Sequence, residues 1–261
     1  MAIIRNEALH KQVARAMRQS ISSGEWPPGT KVPTETELAT LYGVSRPTVR
    51  LAVAALRTEG QLDVTQGRGT FVRATAHGPT STVDQAITQH GSRFETSTDS
   101  WFSDSEQPTV YRTRTDTVTG PWLDMETGEL LIGCDRLIVA PNDGTRALHR
   151  LWLPMERVES TPLAKTPAVT PAKAYAILST AGHQLTWREQ VSARVPQPDE
   201  RETLGLTEAS VLLVVHRVTC DRADGRPLML EETRLGAETA ALAYAIEARR
   251  EPKRPRQAAT C

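Results

Sequence analysis

Apolar positions follow a helical period near the N-terminus and a strand period further on. Val13, Met17 and Ile21, at i, i+4 and i+8 before Gly24, predict a helix over residues 8–23. Thr34-Glu35-Thr36-Glu37 is a capping box: a threonine hydroxyl can accept from the Glu37 amide while the Glu37 carboxylate reaches back. A second helix therefore begins there, with Leu38 and Leu41 as its apolar edge and Gly43 free to turn the chain at positive φ after Tyr42. Ser45 caps a third helix, whose first turn tolerates Pro47 because those amides lack intrahelical partners. Val49, Val53 and Leu56 face inward, leaving Arg46, Thr48 and Arg50 near the exposed start. After Gly60 come a short strand over 61–65, the turn Gln66-Gly67-Arg68-Gly69 and a return strand over 70–73.

Helix, tight turn, helix and basic hairpin together read as a winged helix-turn-helix. Arginines at the start of the second helix of such a pair can reach guanine edges and phosphates. The wing glycines Gly67 and Gly69 let the backbone approach a phosphate or a minor groove, with Arg68 at the tip. Either helix alone could be an ordinary amphipathic core helix; the box, the run Ser45-Arg46-Pro47-Thr48-Val49-Arg50 and the wing in one order favour DNA.

Residues 74–82 are small, polar and punctuated by Gly and Pro, which predicts a linker between a domain over 1–73 and a larger one over 83–248. The stretch 83–90 is weakly helical and either continues the linker or opens the second domain. The larger part repeats itself: Leu123 aligns with Leu204, Arg136 with Arg217 and Asp143-Gly144 with Asp224-Gly225, at a constant separation of 81 residues. Each copy predicts an apolar strand, an Asp-Gly turn and a return strand, over 130–140 and 146–153 and again over 211–221 and 227–235. Between the copies, Thr170-Pro171 opens a helix ending at Gly182, and 184–195 is a strand with Leu185, Trp187, Glu189, Val191 and Ala193 on one face. Short helices are expected over 198–204 and 239–247, and a disordered basic tail over 249–261. Helices against an antiparallel sheet make an α+β domain.

Composition narrows the function. The 261 residues carry 31 Lys and Arg against 31 Asp and Glu, so charge has to be read by region. Before residue 74, ten basic residues face six acidic ones, a local footprint suited to phosphate contact. Cys134, Cys220 and Cys261 have no CxxC spacing, so neither a disulfide framework nor a zinc site is expected, and no cofactor. No signal peptide and no run of about 18 apolar residues is present, so a cytoplasmic protein without a membrane partner is expected. GxSxG, HExxH and P-loop motifs are absent and the histidines are scattered, which argues against catalysis.

The run PPGTKVPTETELATLYGVSRPTVRLAVAALRTEGQLDVTQGRGTFV resembles the N-terminal domain of the GntR family of bacterial transcriptional regulators, from about Leu9 to Arg73. The resemblance implies that Thr36, Ser45, Arg46, Thr48 and Arg50 meet double-stranded DNA in the major groove, and that Gln66, Gly67 and Arg68 meet it at the wing, beside Gly69. Thr36 stands where many relatives carry a basic residue. Most of 83–244 resembles the UTRA effector-sensing domain of the HutC branch, which is similar to the chorismate lyase fold. That implies a small-molecule pocket, homodimerisation through the sheet and a palindromic operator, with release by an effector. Two alternatives remain at this point: a regulator whose second domain only dimerises, and a lyase-like enzyme. Arg136 matches the family's first pocket arginine, so the expected effector is a small anion. Ile138 and Met229 replace a second arginine and an acidic residue of sugar-phosphate sensors. Tyr175, Arg188, Glu189 and Glu232 are further candidate pocket groups; Arg136 and Arg217 also read as ion-pair partners on the sheet surface, and Tyr175 as helix packing.

Overall fold

The computed structural model describes residues 8–65, 67–73, 81–102, 106–207 and 209–246. The expected disordered tail over 249–261, residues 74–80 of the expected linker, and Gln66 lie outside them.

Three helices and a hairpin form the N-terminal domain: α1 (Leu9–Ser22), α2 (Glu35–Tyr42), α3 (Arg46–Thr58), β1 (Leu62–Thr65) and β2 (Gly69–Val72). The capping box forms as the sequence predicts, with the Thr34 amide donating to Glu37 Oε2 at 2.7 Å and the Glu37 amide to Thr34 Oγ1 at 3.3 Å. Gly43 ends α2 in the left-handed region at φ 64°. Met17, Val32, Leu38, Val49, Leu56, Leu62 and Val72 are buried in one core. Leu41 departs from the expectation: it is 64% exposed. The inward stripe of α2 runs through Leu38, Ala39 and Tyr42, which leaves position 41 beside it rather than on it. The chain before α2 pairs with the wing, Val32 donating to the Thr70 carbonyl and Val72 to the Thr30 carbonyl, each at 2.8 Å.

The second domain begins earlier than its sequence suggests. Ser81 and Thr82 lie in β3 (Ser81–Asp84), and the stretch expected to be weakly helical is extended, continuing into β4 (Ile87–His90), which pairs with β5 (Arg93–Thr96). In place of the helix expected over 239–247, residues 240–243 form a strand, β12 (Ala240–Ala243), parallel to β3. Alanine-rich propensity yields there to the backbone bonds that β3 offers and to burial of Ala240 and Val83.

Six antiparallel strands make the main sheet: β6 (Thr109–Arg114), β7 (Leu130–Val139), β8 (Arg146–Pro154), β9 (Leu185–Arg194), β10 (Leu212–Asp221) and β11 (Pro227–Gly236). Their spatial order is β6-β7-β8-β11-β10-β9. The repeat in the sequence is thus a repeat in space. Each half is a strand, a short helix and a hairpin, with α4 (Thr119–Leu123) in the first half and α7 (Pro198–Leu204) in the second, and the halves meet between β8 and β11. Both hairpins turn through a glycine at positive φ, Gly144 at 73° and Gly225 at 77°. In each, the preceding aspartate accepts from the backbone two residues on, Asp143 from Thr145 and Asp224 from Arg226, both at 2.9 Å. α5 (Met155–Val158) and α6 (Pro171–Thr180) connect the halves, and α6 packs Ala174, Tyr175 and Leu178 onto one sheet face. The predicted alternation of β9 holds through Leu185, Trp187 and Glu189; beyond them Val191 and Ala193 are exposed.

Candidate nucleic-acid interface and buried polar cavity

At the N-terminus of α3, Ser45 and Arg46 are exposed, Pro47 occupies the first turn, and Thr48 is half-buried. The Ser45 and Thr48 hydroxyls lie 2.8 Å apart, so each hydroxyl is oriented by the other. Arg50, also exposed, forks onto Glu35 at the start of α2, Nε to Oε1 at 3.2 Å and Nη2 to Oε2 at 2.9 Å. Hydrogen bonding to Arg50 holds the Glu35 carboxyl below its ordinary range. Glu35 was legible only as part of the capping box; its second role needs the contact between helices. Thr36 is exposed one position further along α2. In the wing, Gly67 and Arg68 are exposed. Gly69 is at φ 118°, where a Cβ would come within 2.7 Å of Lys31 Cε, so Lys31, one of the ten basic residues of this region, lies along the wing. Ser45, Arg46, Arg50 and Arg68 are exposed hydrogen-bonding side chains here, with Glu35 held by Arg50, and such side chains suit phosphates and base edges.

Cross-strand partners share a sheet face, and the register sorts the candidate pocket residues. One row runs Arg136, His149, Thr233, Val215; the next runs Cys134, Leu151, Glu231, Arg217, Glu189. Tyr175, fully buried, comes down from α6 onto this face and donates to Glu231 Oε2 at 2.5 Å. Burial and the Glu231 charge raise the Tyr175 phenol well above its ordinary value. Arg217 donates from Nε to Glu189 Oε2 at 2.6 Å and from Nη2 to Gln85 Oε1 at 2.7 Å. Burial alone would depress its pKa, but Tyr175, Glu231 and Glu189 around it raise it. Between this cluster and the aromatic edge of Trp101 lies a cavity of about 30 Å³, lined by His149, Arg217, Glu231 and Thr233 on the sheet and by Val83, Gln85 and Leu242 opposite. His149 is 4% exposed, and both its ring nitrogens lack a hydrogen-bond partner. Its neighbour Arg136 lies over the Phe102 ring at 5.1 Å and donates from Nη2 to the Val169 carbonyl at 3.1 Å, while its buried Nε is unpartnered.

Arg136, Tyr175 and Glu189 therefore lie on the sheet face that carries the cavity, although none of the three lines it. Arg188 and Glu232 do not lie on that face, and this corrects the sequence reading. Arg188 is exposed on the opposite face, and Glu232 belongs to the row Gln190, His216, Glu232, Arg150, Asp135 on that same reverse side. There it meets His216 Nε2 at 3.0 Å, and Trp122 of α4 stacks on that imidazole at 4.8 Å. Adjacent strand residues point to opposite faces, so Arg188 and Glu189 could never serve one cavity, and Glu231 takes the place given to Glu232. His149, Arg217, Glu231 and Gln85 were missed. Arg217 had a usable signal, since it is the repeat equivalent of Arg136, yet its side chain is only 12% exposed rather than on the sheet surface.

Among the described residues no group of His, Cys, Asp and Glu could hold a metal ion, and no helix is long and apolar enough to cross a membrane.

Residues 9–72 match the family described as "Bacterial regulatory proteins, gntR family". Over 232 residues the chain is 30% identical to the HTH-type transcriptional regulator Rv0792c of Mycobacterium tuberculosis, covering 83% of this chain and 78% of that one. It is 43% identical over 68 residues to the mannosyl-D-glycerate transport/metabolism system repressor MngR of Escherichia coli, a match that spans only 28% of that repressor. Among solved structures, one described as a GntR-family transcriptional regulator aligns with 93% of this chain and 99% of its own at a TM-score of 0.67 and 21% identity. PhnF from Mycobacterium smegmatis aligns with 93% of this chain and all of its own at a TM-score of 0.51 and 19% identity. At those identities the two structures speak for the fold alone.

Proposed function

This chain belongs to the gntR family of bacterial transcriptional regulators, and from that premise we propose that it is a homodimeric repressor that leaves a palindromic operator when a small anionic effector enters its second domain. The observation that carries the DNA-reading half is the N-terminus of α3, where Ser45, Arg46 and Arg50 are exposed beside a wing bearing Arg68. Side chains so placed reach major-groove base edges and flanking phosphates, while Gly67 and Gly69 let the wing backbone approach the duplex.

The effector half is supported by the buried polar cluster. Neither nitrogen of the buried His149 makes a hydrogen bond, Nε2 lying 3.6 Å from Glu231 Oε1, and such burial costs free energy unless something supplies the missing bonds. Arg136 beside it has a free Nε, and a guanidinium can hold a carboxylate or phosphate through paired N–H bonds. The effector proposed is therefore an anion engaging Arg136 and His149.

Footprinting on the DNA upstream of the protein's own gene, followed by a metabolite screen for release, tests the proposal. Arg136→Ala should bind the operator like wild type, since the residue lies in the second domain, yet fail to release it. Coupling between two such sites is typically about 1 to 3 kcal/mol, most of which should vanish with the main charge contact. A release curve that overlays wild type would return Arg136 to a purely structural role.

A further inference from the structure

Both ends of the segment joining the two domains are fastened to a single turn. Arg73 follows β2, and its amide donates to the Gln61 carbonyl at 2.9 Å, which anchors it to the root of the wing. Its guanidinium crosses to the second domain, where Nη2 meets Glu238 Oε2 at 2.5 Å and also donates to the Thr207 hydroxyl. Across the segment, the Ser81 amide donates to the carbonyl of Thr239, the residue after Glu238, at 3.0 Å. Glu238 is itself held from behind: its other oxygen accepts from the Ser210 hydroxyl, which the Thr207 amide holds at 2.8 Å. The domains approach closely here, since a Cβ on Gly60 would stand 2.9 Å from Arg73 Nη1 and 3.0 Å from the Ala209 Cβ. The arginine side chain is 15% exposed, so this charge-assisted contact is partly withdrawn from solvent.

The turn carrying Glu238 also belongs to the cavity. It joins β11 to β12, and Leu235 before it and Leu242 after it both line the space. Leu242 is the register partner of Val83 in β3, which lines the same side, so β3 and β12 form a two-strand roof over the central strands of the sheet.

We propose that the Arg73–Glu238 pair is a latch through which occupancy of the cavity is reported to the winged helix. This rests on reading the cavity as the effector site. Small-molecule sites are typically about 300 Å³ or more, against the present volume of about 30 Å³. An occupant must therefore displace a wall, and the two-strand roof yields before six hydrogen-bonded strands do. Lifting β12 draws Glu238 and Thr239 away together, which frees Arg73 and the start of β3 in one movement and changes the orientation of the winged helix.

Hydrogen–deuterium exchange on the full chain without ligand tests the latch. Arg73→Ala and Glu238→Ala should each speed exchange in segments 69–73 and 81–84 roughly tenfold, with 109–114 unchanged, and the double variant should be no faster than Arg73→Ala. Exchange like wild type, or single effects that multiply in the double variant, would overturn it. Thr233→Phe, whose ring fills the cavity, tests the coupling, with Thr233→Ser as control. It should speed the same two segments; unchanged exchange in a Thr233→Phe protein that melts like wild type would sink the coupling. Neither readout involves DNA, so failure of wild type to footprint any upstream sequence would separately count against the regulator reading.

Discussion

Arg50 is held by Glu35 in the free protein, in an exposed pair whose side chains are 66% and 34% accessible. Exposed ion pairs contribute little to stability, so Glu35 orients the guanidinium without binding it tightly. Arg46→Ala and Arg50→Ala should each weaken specific operator binding by roughly tenfold to a hundredfold, the usual loss for a base contact. Gel shifts at fixed salt that show neither effect would remove both residues from the groove. A second residue-scale expectation concerns Glu200, 3% exposed, which accepts from Nη1 and Nη2 of Arg194 at 2.6 Å and from Arg234 Nη1 at 2.6 Å. The Arg194 bonds, opposed by burial, bring its pKa from 4.5 to about 2. A depressed carboxylate stabilises the fold above its unfolded pKa, and that contribution is lost as pH falls from about 4.5 toward about 2. Acid titration of unfolding should accordingly be steeper for wild type than for Glu200→Gln across that window, and equal slopes would refute the assignment.

Among the elements, α2 ends where Gly43 takes φ 64° with no neighbour within 4 Å of a Cβ placed there. Backbone strain is then the whole penalty of a side chain, and Gly43→Ala should cost about 1 kcal/mol in thermal unfolding without a packing defect. An unchanged melt would mean that α2 ends by another route. The elements legible in the sequence were those whose signals are local: the capping box, the Ser45 cap, the Asp-Gly turns and the period of α3. Of those misread, β3 and β12 depended on a partner far along the chain, whereas β4 pairs with the nearby β5. Residues 83–90 and 240–243 have little intrinsic preference for strand, and β3 and β12 are extended because each supplies the other's backbone partners across more than 150 residues of intervening chain. Leu41 erred for a related reason: two leucines three apart suggest a stripe, but contact with α1 and α3 selected Leu38, Ala39 and Tyr42 instead.

At the scale of the whole molecule, the N-terminal core is self-contained, so residues 1–75 should fold when expressed alone. With dimerisation proposed to lie in the second domain, that fragment should sediment as a monomer and bind one half-site weakly, whereas the full chain should prefer half-sites about one helical turn apart or a multiple of it. A dimeric fragment with full operator affinity would contradict this. The sequence by itself determined the winged helix, its exposed arginines and the two-fold repeat of the second domain, because caps, turns and periodicity act over a few residues and a repeat is visible as a constant separation. Only the tertiary structure decided that Arg188 and Glu232 face away, that His149, Arg217 and Glu231 close the cavity, and that Arg73 reaches Glu238. Strand register sets which residues share a face, and it is settled by pairing between strands far apart in sequence.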